Sequence, residues 1–501
     1  MGRVGALAVL ALAVWLPAQA QAYSARVSVG SPLAVRPVAP NFLGLALEYN
    51  TIPKWAGATP QSVNPVFATL LHNLDPDGHP VIRVGGQSTD RSWWPVRGIP
   101  QPLGVTYNLW PGWTAAAQSL AQATGARLLL GINLEANRTR ISQVEANQLV
   151  SRIGASHIAA LEIGNEPDLY PLMPWYRTLH GRPIPWYSRD GSPIYSRPLS
   201  YSPQNYAQEF TRTRRVLPHV PLAGPETGQG PWMSMFAGFV GRGSQVRMLT
   251  SHVYGLNQCI TDPRSPQYPS VPNLLSIVNS RDVIPGIGPY IARVHRFGGS
   301  YRIDEMGSIS CNGRAGVSDT LASGLWAMDT LFAIASAGID GVNLHTYPNS
   351  DNGLFDLTRG PAGWEATVHP LYYGALMFEQ AAPAGSRLLR VGAGNQSRLR
   401  AWATRGPDHR VRVLLINDSL GAAARATVRL AGRHGPAGLE RLRAASAYAT
   451  GGVTLGGESF GPTTTTGVLP APTPLTAAAH GGAYTVTLPA GSAALLTISP
   501  A

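Results

Sequence analysis

Apolar runs of six to nine residues recur along the chain up to residue 347, each of a length typical of a strand that is buried on both faces. Amphipathic stretches with helical spacing, such as SPQNYAQEFTRTRRVL, separate these runs, and HPLYYGALMFEQAA supplies a closing helix. Alternating strands and helices of this number predict an α/β protein with a (β/α)8 TIM barrel over residues 41–382. The eight predicted strands cover residues 42–49, 81–86, 127–134, 158–166, 221–227, 246–254, 301–307 and 341–347.

From residue 383 the pattern changes to short alternating stretches joined by Gly-, Pro- and Thr-rich turns, as in VRVLLIND, ATVRLAG and AYTVTLPA. Alternation of apolar and polar residues with few helical stretches predicts a C-terminal antiparallel β-sandwich over residues 383–501. Residues 23–40, before the barrel, are also strand-like and are predicted to add a strand to that sandwich.

The first 22 residues have the features of a secretory signal peptide. Arg3 precedes an apolar stretch, and Ala18 and Ala20 form an A-x-A cleavage site. The apolar stretch is short for a bilayer span, although an uncleaved anchor is the alternative. We therefore expect an extracellular or periplasmic protein that does not span a membrane.

The net charge of +12 comes almost entirely from arginine, since Lys54 is the sole lysine. The basic residues are dispersed, with no run of five or more, which argues against a nucleic-acid partner. A basic surface of this kind would instead attract acidic substrates, uronic-acid polysaccharides among them. The sequence does not predict an oligomeric state.

Two glutamates stand where predicted barrel strands end. Glu166, in LEIGNEPD, ends strand four, and Glu305, in YRIDEMG, ends strand seven. Because the carboxyl ends of barrel strands meet at one mouth, both side chains can converge there. Retaining glycoside hydrolysis needs two such carboxyl groups about 5–5.5 Å apart. Asp304 competes with Glu305, but alternation along a strand would let only one of them face a sugar.

These motifs resemble glycoside hydrolase family 79, the β-glucuronidases and heparanase-like enzymes. The resemblance is carried by GNEP, RIDEMGSISCNG, FLGLALEY and RVGGQSTD, and it covers the whole mature chain, since that family also joins a barrel to a β-sandwich. It implies that Glu166 is the general acid/base, that Glu305 is the nucleophile, and that Asn165 binds the sugar 2-hydroxyl.

Further polar and aromatic residues fall at the predicted mouth. The candidate substrate-binding residues are Glu48, His252, Tyr254, His345 and Tyr347, although packing is an equal alternative for a lone residue at a strand end. Glu162 is expected in a buried ion pair, with Arg83 or Arg302 as its partner. No cluster has metal-ligand spacing, so neither a metal nor a cofactor is predicted.

The loop after strand seven departs from the family pattern. In the glucuronidases of this family a tyrosine of that loop and another after strand eight hold the substrate carboxylate. This chain has Tyr347, but its loop reads SISCNG. Arg314, just beyond, could replace the missing contact as a bidentate ligand.

The two cysteines follow neighbouring strands. Cys259 comes after strand six and Cys311 after strand seven, so a disulfide between them is predicted, with two free buried thiols as the alternative.

Together these features predict a secreted retaining β-glycosidase with a carbohydrate substrate, a β-glucuronidase above all. A β-glucosidase or an endo-acting heparanase-like hydrolase is the rival within that class. A non-catalytic carbohydrate-binding protein is the rival outside it.

Overall fold

The structure is a computed structural model of the chain. It describes residues 22–57, 59–76, 78–227, 230–282, 284, 286–393, 398–432 and 435–500. The predicted signal peptide, apart from Ala22, lies outside the described residues.

Eight parallel strands close into a barrel in sequence order, which confirms the predicted fold class. Most of their residues are buried, because helices cover the outer face while side chains fill the interior. The strands are β1 (Leu43–Glu48), β2 (Val81–Gly85), β3 (Arg127–Ile132), β4 (Ile158–Ile163), β5 (Leu222–Pro225), β6 (Val246–Asn257), β7 (Ser300–Ser310) and β8 (Gly341–His345).

A helix follows each barrel strand. Helix starts match the capping signals of the sequence: the Asn64 side chain accepts hydrogen bonds from the amides of Val66 and Phe67, and Pro65 occupies the first turn. The helices are α1 (Pro65–Leu74), α2 (Pro111–Thr124), α3 (Thr139–Ile153), α4 (Pro203–Arg214), α5 (Gly230–Ala237), α6 (Gly288–Arg296), α7 (Leu321–Ser336) and α8 (Pro370–Ala381). Single helical turns lie at Ile52–Trp55, Ser88–Arg91, Val271–Leu274 and Ile277–Ser280, with 3-10 turns at Tyr49–Thr51, Pro60–Ser62, Ala155–His157 and Pro167–Leu169.

The second domain is an eleven-stranded sheet. Tyr23–Pro32 lies within it, antiparallel to Arg387–Ala393 and parallel to Ala424–Arg429, the one parallel pair among its described strands. Several strands of the sheet contribute apolar side chains to one buried core, among them Val27, Val413 and Val486. The remaining strands are Leu399–Arg405, Val411–Asn417, Ala437–Arg443, Thr454–Leu455, Leu475–Ala477, Ala479–His480, Ala483–Leu488 and Ser492–Ile498.

The sheet domain packs against the barrel through α7 and α8. Leu414 and Ile416 project from the sheet into the same apolar cluster as the barrel helices. This explains why α7 is buried from Leu321 to Ala335, with no polar face toward solvent. α7 and α8 approach each other at Gly324 and Gly374, where a Cβ on Gly374 would lie 2.3 Å from the Gly324 carbonyl oxygen.

Small sheets decorate the barrel loops. A three-stranded sheet of Tyr176–Leu179, Arg182–Ile184 and Ser192–Ile194 is inserted between β4 and α4. Two-stranded sheets pair Ser92–Trp93 with Tyr107–Asn108 and Phe355–Gly360 with Gly363–Val368. Among the described helices, none has the length and hydropathy to cross a bilayer.

Candidate active site

The GNEP turn brings Glu166 to the carboxyl end of β4. The strand ends at Ile163, and Gly164 and Glu166 then adopt positive φ angles of 88° and 47°. The Glu166 amide donates to the Glu226 carbonyl oxygen, 3.2 Å away, at the end of β5. The carboxylate stays partly open to solvent, with 22% of the side chain exposed.

Asp90, in the loop after β2, supports this turn from behind. One carboxylate oxygen accepts hydrogen bonds from the amides of Leu134 and Glu135, at 2.8 and 3.0 Å. The other accepts from the Asn165 amide at 3.0 Å and from the Tyr170 hydroxyl at 2.8 Å. Asp90 therefore ties the ends of β3 and β4 together next to Glu166.

Glu305 lies on β7 and is held on several sides. Arg83 Nη1 donates to Glu305 Oε2 at 2.5 Å, and the Tyr254 hydroxyl donates to Glu305 Oε1 at 2.6 Å. His345 Nδ1 lies 3.3 Å from the same Oε1. With 7% of its side chain exposed, Glu305 is fixed yet still reaches the mouth.

The structure brings the two glutamates together. One carboxylate oxygen of Glu166, one of Glu305 and a ring nitrogen of His252 all lie within 4.8 Å of one another. His252 Nδ1 is 3.0 Å from Glu166 Oε1, and Gln87 Nε2 donates to Glu166 Oε2 at 3.3 Å. The two carboxyl groups therefore face one small volume at the mouth of the barrel.

Positive neighbours decide the charge of Glu305. Burial alone would raise its pKa, but His345, His252 and Arg83 outweigh burial and hold the pKa well below its usual range. Burial likewise disfavours a charged His345, yet Glu305 and Glu48 raise its pKa to about 9. For His252, Glu305 and Asp304 overcome burial and raise the pKa well above its usual value. These shifts favour the cationic form of both imidazoles and the ionised form of Glu305.

Strict alternation along β7 was a wrong premise. Ser251 pairs with Ile303 but His252 pairs with Glu305, so the register skips Asp304. Because of this irregularity, both adjacent carboxylates point inward: Asp304 Oδ2 lies 3.3 Å from Arg83 Nε and 3.5 Å from His252 Nε2. Asp304 is nevertheless fully buried, so Glu305 is the carboxylate that a substrate can reach.

Arg83 is the partner of the buried charges. Its guanidinium contacts Glu162 at 3.1 Å and Glu226 at 2.5 Å, and it donates to Asn165 Oδ1 at 2.8 Å. Arg302, the other candidate partner, instead donates to Asn343 Oδ1 and to the Asn41 carbonyl.

Glu48 completes the mouth from β1. Its Oε2 accepts from the Ser88 amide at 2.8 Å, and its Oε1 lies 3.6 Å from His345 Nε2. The turn in RVGGQSTD allows this approach, because a Cβ on Gly86, whose φ is 69°, would lie 2.3 Å from Glu48 Oε1.

Tyr347 and Arg314 lie at the loops after β8 and β7. The Tyr347 hydroxyl donates to Asn312 Oδ1 in the SISCNG loop. The Arg314 guanidinium stacks on the Tyr268 ring at 5.2 Å and makes no ion pair among the described residues.

The cysteines lie side by side but are not bonded. The Sγ atoms of Cys259 and Cys311 are 3.4 Å apart, against about 2.05 Å for a disulfide. Both thiols are free and exposed, unlike the buried thiols considered as the alternative.

Among the residues that the structure describes, two groups of side chains have metal-ligand spacing, although none was predicted. They are Glu166, His252 and Glu305, and Glu226, His252 and Asp304. His252 belongs to both, and its raised pKa favours a bound proton over the neutral imidazole that a metal requires.

No protein-family model matches the chain, and no curated protein matches it either. Solved glycoside hydrolases share its fold. A 4-O-α-L-rhamnosyl-β-D-glucuronidase from Fusarium oxysporum 12S is 21% identical with a TM-score of 0.70, over 94% of this chain and 100% of that one. A GH51 arabinofuranosidase from Xanthomonas axonopodis pv. citri is 14% identical with a TM-score of 0.64, over 95% and 100%. A GH30 endoxylanase from Clostridium papyrosolvens C71 is 13% identical with a TM-score of 0.54, over 95% and 100%.

Sequence reasoning missed Gln87, Asp90 and Glu226 as parts of this site. Gln87 and Asp90 belong to RVGGQSTD, a motif that entered the sequence analysis only through its resemblance to the family. Glu226 directly follows β5 in PLAGPET, and its position as a carboxylate next to a strand end was an available signal.

Proposed function

We propose that this chain is a secreted retaining β-glucuronidase of glycoside hydrolase family 79. The observation that carries the proposal is the meeting of Glu166 and Glu305, with carboxylate oxygens within 4.8 Å, at the mouth of the barrel. Their surroundings differ as two separate roles require: Glu305 is nearly buried among positive charges, and Glu166 is partly open to solvent.

In the first step, Glu305 attacks the anomeric carbon and Glu166 gives its proton to the departing glycosidic oxygen. The low pKa of Glu305 keeps it ionised for attack. The protonated His252 donates to Glu166 Oε1 and stabilises the carboxylate that proton transfer leaves behind. Asn165 accepts from Arg83 through Oδ1, which leaves its Nδ2 group to donate to the sugar 2-hydroxyl.

In the second step, a water molecule attacks the glycosyl ester. Glu166 takes a proton from that water, and the bond to Glu305 breaks. Arg83 and Tyr254 donate to the carboxylate of Glu305 as it regains its charge. The sugar is released with its original anomeric configuration.

A panel of aryl β-glycosides that differ at carbon six tests this function. We expect hydrolysis of the glucuronide, and a loss of about 10²–10⁴-fold in kcat for Glu166→Gln and for Glu305→Gln. Glu365→Gln, on the hairpin of Gly363–Val368, is the matched control and should keep full activity. A protein that hydrolyses no aryl β-glycoside would contradict the proposal.

For the uronate carboxylate, we propose Tyr347 and Arg314 as ligands. Support comes from their adjacency: Tyr347 donates to Asn312, two residues before Arg314 in the same loop. Arg314→Ala should lower the preference for glucuronides over glucosides, whereas Arg264→Ala, at an exposed arginine after β6, should not. An unchanged preference in Arg314→Ala would remove Arg314 from the proposal.

We also propose that residues 1–22 direct export of the chain. In the exported protein, we propose a disulfide between Cys259 and Cys311. The adjacency of the two thiols, with Sγ atoms 3.4 Å apart, supports the bridge. Protein purified from the secreted fraction should begin near Tyr23 and should resist alkylation without reductant, by mass spectrometry. Alkylation of both cysteines without reductant would refute the bridge.

A further inference from the structure

The three-stranded sheet inserted after β4 stands next to the candidate acid/base. We call residues 175–195 the flap. Its strands pair only with one another, in the order Ser192–Ile194, Tyr176–Leu179, Arg182–Ile184, so it is a separate small sheet and not an extension of the barrel. Barrel geometry does not require it.

Contacts through Arg91 connect the flap to the site. Arg91 donates to the carbonyl oxygens of Trp175 at 2.6 Å and Pro174 at 3.3 Å, and its guanidinium lies 4.8 Å from the Trp186 ring centroid. Arg91 also lines the same small cavity as Glu166 and Gln87. The flap is therefore held against the Glu166 side of the mouth.

Large apolar side chains are exposed on and beside this sheet. Tyr187 is 71% exposed and Tyr195 is 44% exposed, and Leu172, between Glu166 and the flap, is 58% exposed. The Tyr187 ring packs edge-on against Trp186, with ring centroids 5.8 Å apart. Rings that are fixed by neighbours and open to solvent provide binding area at low entropic cost.

The charge of the flap is positive. It carries three arginines against one acid, Asp190. Arg177 is used within the flap, where it donates to the carbonyl oxygens of Trp186 and Gly191. Arg182 and Arg189 are exposed and form no ion pair among the described residues. An anionic ligand would complement this surface.

We infer that the flap binds the sugars on the leaving-group side of the scissile bond, in a glycan chain that carries carboxylate or sulfate groups. This inference rests on the proposed function. The general acid protonates the leaving oxygen, so a surface that adjoins Glu166 faces the part of the substrate that departs. The exposed rings stack on sugar faces, and Arg182 and Arg189 bind the anionic groups.

Binding of heparosan, heparin and dextran to the full-length chain tests the inference, with affinity electrophoresis as the readout. We expect heparosan and heparin to bind more tightly than dextran, with affinity falling as salt rises. Tyr187→Ala and Arg189→Ala should each weaken heparosan binding about three- to tenfold. Tyr448→Ala, at a 50% exposed tyrosine of the sheet domain, is the matched control and should not. If heparin binds more tightly than heparosan, the anionic group that the flap recognises is sulfate. If the two bind with equal affinity, that group is carboxylate.

Unchanged heparosan binding in both flap variants, or dextran binding equal to heparosan binding, would overturn the inference. The inference would also be overturned if the only effect of a flap variant were a lower molecular mass of the protein in light scattering, since the flap would then be a contact between copies of the chain. Binding does not require turnover, so the two proposals fail separately. A chain that binds glycans through the flap but hydrolyses no glycoside refutes the proposed function and the leaving-group assignment, and leaves the flap as a glycan-binding surface.

Discussion

Arg83 is a single buried guanidinium that faces an excess of acid. Its carboxylate partners are Glu162, Glu226, Asp304 and Glu305. One positive charge cannot balance all of them in a buried site, and protons reduce the excess. Burial raises the pKa of Glu226 to about 8 despite Arg83, and burial with the charges of Glu226 and Asp304 raises the pKa of Glu162 well above its usual value. Protonation of Glu162 and Glu226 therefore removes part of the negative charge around Arg83, while Glu305, the carboxylate that a substrate can reach, stays ionised.

Tyr254→Phe tests how that charge is held. The hydroxyl donates to the ionised form of Glu305 at 2.6 Å, so it favours ionisation and lowers the pKa of Glu305. Without it, we expect kcat to fall about tenfold or more and the acid limb of the pH profile of kcat/KM to move to higher pH. The ring is retained, so the fold should be unaffected.

Tyr484→Phe is the matched control, since it removes a tyrosine hydroxyl that donates to the Gly435 carbonyl oxygen in the sheet domain. It should leave the pH profile unchanged. An acid limb that does not move in Tyr254→Phe would mean that Arg83, His252 and His345 set the charge of Glu305 without the hydroxyl.

At the scale of elements, the sequence was sufficient for the barrel strands because each is an apolar run with a polar residue at its end. It was insufficient where a backbone detail decides the contact. The register irregularity at Asp304 turns two adjacent carboxylates inward, and no residue pattern marks it. The flap has no clear alternation, and α5 and α6 are short, so periodicity identified none of them.

Asp90→Asn tests whether the turn that carries Glu166 depends on its anchor. The carboxylate accepts from three backbone amides and the Tyr170 hydroxyl, whereas an amide can accept through only one of its two ends. We expect a loss of about 1–3 kcal/mol in the free energy of unfolding and a fall in kcat larger than any rise in KM. Chemical denaturation and steady-state kinetics measure the two effects. A stable variant with wild-type kcat would show that the turn holds its geometry alone.

At the scale of the whole molecule, the barrel and the sheet domain share a buried polar contact. Asp329 of α7 accepts from Arg281 at 2.7 Å and from Trp402 of the sheet at 2.7 Å, while the Trp402 ring stacks on Phe332 at 5.4 Å. The sequence predicted both domains, but it could not predict this interface, because its partners are separated by more than 70 residues and form no local pattern.

Asp329→Ala should destabilise both domains together. Removing it leaves the partly buried donors of Arg281 and Trp402 without their acceptor, which costs about 1–3 kcal/mol. We expect calorimetry to show one transition at a lower Tm. Asp408→Ala, which breaks an exposed pair with Arg412, should change the free energy of unfolding by at most about 1 kcal/mol. Two separated transitions in the Asp329 variant would show that the interface, not only this residue, is weaker than the structure implies.

The most direct test of the central claim is to trap the covalent intermediate. A 2-deoxy-2-fluoro-β-glucuronosyl fluoride should slow the second step and leave one sugar attached per chain, and peptide mapping by mass spectrometry should place it on Glu305. Glu305→Gln should acquire no label, and Glu166→Gln should still be labelled, since fluoride departs without a proton from the acid. Label on another residue, or turnover of glucuronides with inversion and no adduct, would contradict the assignment of Glu305 and Glu166.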